Sequence, residues 1–202
     1  MLSTIKSRLS GYQPRQLKAT QKEAGVMMLV TACEADPHIL LTQRSSRLSS
    51  HSGEVAFPGG KRDVDDVSIL DTALRETEEE IGLHRSWIDV QSPLSQLRSL
   101  HGLRVTPWVG LIAKESVNRL TPSPEEIDSI FQVPLTFFLD KQNQCVDDYV
   151  VKGKNLYVPA WRYESYIIWG LTAYFIAELV NLCFDADIPV KPRPEHKLLE
   201  TK

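Results

Sequence analysis

Four charged residues fall close together in SILDTALRETEEEIG, residues 68–82: Arg75, Glu76, Glu79 and Glu80. On a helix turning about 100° per residue, Glu76, Glu79 and Glu80 share one arc of about 100°, with Arg75 beside Glu79. Ile69, Leu70, Ala73, Leu74, Thr77 and Ile81 form a separate core stripe roughly 140° wide. Glu78 is expected to point the other way, to solvent. Like charges at i, i+4 repel by a few tenths of a kcal/mol, so three on one rigid face call for a counter-charge. An all-oxygen donor set suits a hard cation such as Mg²⁺ or Mn²⁺, which would offset the repulsion. The plainer alternative is a solvated acidic face.

This helix must be positioned by its neighbours. Ser68 is an N-cap candidate with Asp71 three residues on, and Gly82 is a natural C-terminal stop. Upstream stand a glycine-rich turn, Pro58-Gly59-Gly60, and a polar loop with Asp63, Asp65 and Asp66. Glu23–Ala35, continuously apolar from Val26 to Val30, reads as a buried strand, and His38–Gln43 as a second. Asp36-Pro37 between them predicts a hairpin. Ser45–Ser52 is a serine-rich loop carrying Arg47 and His51, Glu54–Phe57 is a short strand, and further strands fall near Ile88–Val90 and Val105–Ala113. A polar connection surrounds Pro122–Pro124, and the apolar stretch Tyr166–Phe184 reads as a buried core helix. Strands on both sides of the first strong helix, with a long helix closing the chain, suggest a mixed sheet sandwiched between helices in one α/β domain. The expected organisation is an N-terminal arm over 1–23, a catalytic-type domain over 24–188 and a tail over 189–202.

The remaining composition narrows the classes. The chain has 202 residues, 42% of them hydrophobic and 24% charged, and a net charge of −3. Those values fit a soluble globular domain and exclude a disordered or disulfide-rich one. The charge lacks the positive field of a general nucleic-acid binder. The cysteines at 33, 145 and 183 are widely spaced, with no CxxC, and suggest free thiols in a reducing compartment. Glu178 and Asn181 interrupt the apolar stretch near the end, which argues against a membrane span. With no leader-like run at the start, the expected location is cytoplasmic.

Gly60 followed by RETEEEIGL, Arg75–Leu83, closely resembles the Nudix box, G-x5-E-x7-R-E-U-x-E-E-x-G-U. It departs in two places. The acidic position after the glycine is Asp66, with the spacing to Arg75 one residue longer, and the apolar position after Arg-Glu holds Thr77. Upstream, LLTQRS (Leu40–Ser45), Gly53 and FPGG (Phe57–Gly60) resemble the added signature of the coenzyme A pyrophosphatase branch. Its second arginine would fall at position 49, where this chain has Ser49; Arg47 is two residues earlier. VTPWVG (Val105–Gly110), EEIDSIFQVPL (Glu125–Leu135) and WGLTA (Trp169–Ala173) extend the likeness over most of residues 25–185.

The resemblance implies a Nudix-type α/β/α sandwich with a mixed β-sheet. It also implies hydrolysis of coenzyme A or its thioesters with Mg²⁺ or Mn²⁺, giving adenosine 3′,5′-bisphosphate and 4′-phosphopantetheine or its acyl form. Carried over by position, Glu76 and Glu80 are the metal ligands with Glu79 as a further one, and Arg75 is an orienting ion-pair partner. Arg44 and Arg47 are candidates for phosphate contacts, with Gly59 and Gly60 letting the backbone approach. Glu79 and Glu126 are the alternatives for general base. Asp63 and Asp66 read as loop-ordering groups, and the Trp161, Tyr163, Tyr166 and Trp169 group reads as core. The expected partner is a small nucleoside diphosphate, not nucleic acid or membrane, with a homodimer left open. Rival readings are a hydrolase of ADP-ribose, NADH or nucleoside triphosphates, and a non-catalytic nucleotide-sensing module. The latter should have eroded box glutamates, whereas all three are present.

Overall fold

The computed structural model describes residues 1–20, 22–48, 51–99, 101–151 and 154–190, with 145–151 and 154–157 in backbone only. Glu23–Thr31 forms strand β1 at the centre of the fold. Met27 and Leu29 enter the core on one face of the sheet, Met28 and Val30 the core on the other. Burial on both faces is why this strand is continuously apolar. His38–Arg44 (β2) pairs with it antiparallel, Leu29 opposite Leu40, as the hairpin signal predicts. Val55–Ala56 (β3), Gly59–Lys61 (β4), Asp89–Pro93 (β5), Leu97–Arg98 (β6), Arg104–Ile112 (β7) and Ile127–Pro134 (β8) complete a mixed sheet. Its spine is ordered β3-β2-β1-β7-β5, with β4 added to β1, β6 to β7 and β8 to β2. β1 and β7 are parallel over their whole length, from Glu23 opposite Arg104 to Thr31 opposite Ile112.

Helix Ile69–Ile81 (α2) lies on one face, where Ala73 and Ile81 pack with Met27, Leu29, Leu40 and Ile112. Helices Leu2–Ser10 (α1) and Gly170–Phe184 (α4) cover the other face, joining Ile5, Leu9, Phe175, Ile176 and Val180 to Met28, Val30, Ile39 and Leu41. Helices on both sides of a mixed sheet make the α/β/α sandwich. A short helix, Leu135–Leu139 (α3), leads to a second sheet of Gln144–Val151 (β9), Lys154–Tyr163 (β10) and Tyr166–Ile168 (β11), all antiparallel.

Several expectations are corrected. Pro58-Gly59-Gly60 is not a simple turn, since Gly59–Lys61 pairs with β1, Gly60 opposite Gly25. Glycines carry no side chain to alternate, so the sequence gives no strand pattern there. The apolar stretch at 166–184 is divided: Tyr166–Ile168 is a strand, and Gly170, at φ 65, turns the chain into α4. Trp161 is buried, but Trp169 is exposed, and Tyr166 stacks on Phe131 at 3.7 Å. The N-terminal segment is anchored: Ile5 and Leu9 are buried, and Tyr12 Oη donates to Glu178 Oε1 at 2.5 Å. Burial, then that hydrogen bond, pushes the Tyr12 hydroxyl up to about 12. Among the described residues no helix is long and apolar enough to cross a membrane. The tail residues 191–202 lie outside the described residues.

Candidate active site

The helix α2 begins where Ser68 Oγ accepts the Asp71 N–H at 3.1 Å and ends at Gly82 in the left-handed conformation. Of its glutamates, Glu80 is the most deeply placed, at 2% exposure. Its Oε2 accepts the Gly59 N–H at 3.1 Å, and its Oε1 meets Arg44 Nη1 at 3.2 Å. Burial raises this carboxyl to about 7; the Gly59 N–H and Arg44 pull against that, and the charges of Glu76 and Glu126 push further up. Glu76, one turn earlier, is raised by burial, with Arg75 opposing and Glu79 and Glu126 adding. Its carboxylate lies over Gly60, where a Cβ would come within 2.4 Å of it. Any side chain at 60 would therefore displace Glu76.

Arg75 gathers the acidic groups of this end of the helix. Its Nε and Nη2 hold Asp66 Oδ1 and Oδ2 at 2.9 and 3.0 Å, its Nη2 meets Glu76 Oε1 at 3.0 Å, and its Nη1 meets Glu79 Oε2 at 2.8 Å. Asp66 also accepts from the Asp63 N–H and Thr72 Oγ1, each at 2.8 Å. The Arg75 guanidinium, more than these, holds the Asp66 carboxyl well below the usual carboxylate range despite burial. Asp66 thus fixes Arg75, and Arg75 fixes Glu76. Glu79 stands apart from the expected trio: it is exposed and turned to Arg75. Glu78 does not face free solvent either, because its carboxylate accepts both the Arg85 N–H and Nε–H at 3.0 Å.

Glu126, whose charge helps raise both Glu76 and Glu80, lies in a loop fastened at both ends. The Thr121 and Ser123 N–H groups donate to the Ile81 and Glu80 carbonyls at 3.0 and 2.8 Å, at the end of α2. On the other side the Ser45 N–H donates to the Glu126 carbonyl at 2.7 Å, and the Ser46 N–H to Asp128 Oδ2 at 2.9 Å. The Arg47 guanidinium, expected at a phosphate, instead donates to the Pro124 carbonyl and, at 3.4 Å, to Ser45 Oγ. Arg44 is turned to Glu80. Ser49 lies outside the described residues, and His51 pairs with Glu54 at 2.8 Å on the surface. Sequence reasoning did not find the roles of Ser45 and Ser123, since bonds through the backbone leave no side-chain signal, nor that of Asp128, whose partner is a main-chain N–H 82 residues away.

Among the described residues no three His, Cys, Asp or Glu side chains already form a cation cage. The donor set nevertheless fits a hard cation. Glu76 and Glu80 are oxygen donors one turn apart, both raised by burial and by neighbouring carboxylates, and excess negative charge in a buried place is relieved by a cation.

A profile described as the NUDIX domain matches residues 21–148. The chain is 39% identical over 168 residues to the uncharacterized Nudix hydrolase NudL of Photorhabdus laumondii, covering 83% of this chain and 88% of that one. The chain belongs to the Nudix family. It is also 37% identical over 169 residues to Nudix hydrolase 15, mitochondrial, of Arabidopsis thaliana; the match covers 81% of this chain but 59% of the longer relative. A MutT/nudix family protein from Enterococcus faecalis shares the Nudix fold at 16% identity, with a TM-score of 0.52 over 86% of this chain and 64% of that one. Members of the Nudix family generally use divalent cations such as Mg²⁺ or Mn²⁺.

Proposed function

We propose that this Nudix chain hydrolyses the diphosphate of coenzyme A or its thioesters. One observation carries the reading: Arg44 and Gly59 both bond to the one buried carboxylate of Glu80. They come from the two ends of the segment, LLTQRS to FPGG, whose likeness to the coenzyme A pyrophosphatase branch suggests the substrate. The segment and the box therefore act as one unit.

Glu76 and Glu80 would hold a divalent cation, which when bound supplies neutralising charge at the diphosphate. Arg75 keeps Glu76 in place and Asp66 keeps Arg75. Arg44 fixes Glu80 and brings a positive group to the edge of the diphosphate. Glu126, facing Glu76 and Glu80, is the base of choice over Glu79, whose carboxylate is engaged by Arg75. It takes a proton from the attacking water as the new phosphorus–oxygen bond forms. The bridging phosphorus–oxygen bond breaks, and the leaving phosphate carries off the electron pair. The products are adenosine 3′,5′-bisphosphate and 4′-phosphopantetheine or its acyl form.

The test is a panel of coenzyme A, acetyl-coenzyme A, ADP-ribose, NADH and nucleoside triphosphates, with purified protein, divalent metal and chromatography of products. Coenzyme A or its thioester should give the highest kcat/KM. A win for ADP-ribose, NADH or a triphosphate would remove the coenzyme A assignment.

A further inference from the structure

We infer that Arg47 is a positioning residue for Glu126, acting through the loop 121–126 and not through contact with substrate. The inference rests on the proposed role of Glu126 above. Glu126 sits in a turn, its N–H and that of Ile127 both donating to the Ser123 carbonyl at 3.1 and 2.9 Å. Behind the turn, Thr121 and Ser123 are bonded to the last carbonyls of α2, and ahead of it Ser45 and Ser46 hold Glu126 and Asp128. All four attachments use main-chain donors, and three of them also main-chain acceptors, which any substitution other than proline would keep; the fourth ends on Asp128 Oδ2. Arg47 supplies the side-chain attachment at the turn itself: its Nη2 donates to the carbonyl of Pro124, two residues before Glu126. Pro124 cannot donate a main-chain hydrogen bond of its own, so its carbonyl is what the turn offers to a partner.

The same side chain is tied at its other end. Arg47 Nε and its own N–H both reach Ser45 Oγ at 3.4 Å, and Ser45 is fully buried. The Ser46 N–H, opposed by burial, then the Ser45 contact and the Arg47 charge hold the Asp128 carboxyl below its ordinary value. A guanidinium spanning a buried serine and a proline carbonyl is a brace between two loops. It leaves fewer donors for a 3′-phosphate, and its geometry is the fork that arginine offers and lysine does not.

The consequence is a particular pattern of loss. Arg47→Ala should lower kcat roughly tenfold to hundredfold with KM little changed, the size expected when a group at the chemistry is displaced by about 1 Å. The loss should be equal for coenzyme A and dephospho-coenzyme A. In Arg47→Ala/Glu126→Gln, the arginine change should cost almost nothing beyond Glu126→Gln alone, because both act on one group. Hydrogen–deuterium exchange of metal-free protein gives a readout independent of turnover: amides of 122–127 and Ser45 should exchange faster in Arg47→Ala, with α4 unaffected. Arg47→Lys, able to reach one carbonyl but not both partners, should recover part of the protection.

Three results would overturn the inference: additive losses in the double variant, a loss confined to substrates with the 3′-phosphate, or unchanged exchange in 122–127. Failure of the underlying reading looks different, since Glu126→Gln alone would then leave kcat intact whatever Arg47→Ala does to exchange. These assays use the best substrate of the diphosphate panel. Dephospho-coenzyme A is added as its partner if coenzyme A wins; if another diphosphate wins, the double variant and exchange decide the matter.

Discussion

Helix α2 carries two acidic clusters of opposite character. On its outer side, Arg85 Nη1 meets Asp71 at 2.6 Å, and Arg85 also binds Glu78 through Nε and its N–H. Burial alone would raise Glu78, but the Arg85 bonds outweigh it and hold the carboxyl below its ordinary value. On the inner side, Glu76 and Glu80 are raised despite Arg75 and Arg44, and Glu126 adds to the excess. The two clusters use the same residue types on the same 13-residue helix. What separates them is charge balance. A balanced cluster fastens the fold, whereas an unbalanced, buried one is kept at a cost to stability and implies a counter-charge from outside.

The largest expected effect tests the unbalanced side directly. Excess chelator should abolish turnover and added Mg²⁺ or Mn²⁺ restore it; full turnover in chelator would end the proposal. Next, Glu80→Gln should lower kcat by about 10²-fold or more, the size of losing one electrostatic stabiliser, with the fold retained by circular dichroism. The same substitution should stabilise metal-free protein at alkaline pH. The folded carboxyl titrates near 7 and the unfolded one near 4.5. The folded state therefore binds the proton more tightly, and this stabilisation is present below the unfolded value and lost as pH rises through 4.5 to 7. The loss is of order 3 kcal/mol. Urea midpoints of wild type and Glu80→Gln should diverge over that window, and parallel curves would refute a carboxyl raised by burial beyond what Arg44 and Gly59 offset.

Asp66→Ala isolates the brace behind Arg75. It should cost about 3 kcal/mol, the low end for breaking a buried pair, because Glu76 and Glu79 still hold the guanidinium. Equilibrium urea unfolding measures it. The smallest effect belongs to the balanced side. Glu78→Gln should leave kcat within about twofold and lower stability by about 1 kcal/mol, since Arg85 is half exposed and the pair is partly screened. A large fall in kcat there would erase the distinction between the two sides.

Much of this was legible in the sequence because α2 obeys local rules. Its cap at Ser68, its stop at Gly82 and the apolar stripe through Ala73, Thr77 and Ile81 are all as expected. The same wheel that separated Glu80 from Glu78 could not say what each meets. Glu78 finds Arg85 just past the helix end, and Glu80 finds Arg44 from a strand 36 residues earlier. The β9–β10 hairpin was not anticipated, although Gly153 between its strands is a turn signal. The fastening of the Glu126 loop was beyond reach for a different reason: Thr121, Ser123 and Ser45 act through backbone groups, which every residue type except proline supplies alike.

The parallel pairing of β1 with β7 also sets an order of events during synthesis. Each partner in that register is separated by about eighty residues of chain. The β1–β2 hairpin can form as soon as His38–Arg44 has left the ribosome, but the other edge of β1 stays open until Arg104–Ile112 follows. For that interval an apolar strand, Val26 to Val30, offers unpaired backbone groups to any neighbouring nascent chain. A parallel partner cannot be supplied by a tight turn, so the vulnerability is built into the topology. Slowed translation between residues 44 and 104 should therefore increase aggregation of the newborn protein, while the completed chain, its edge covered, should be indifferent to it.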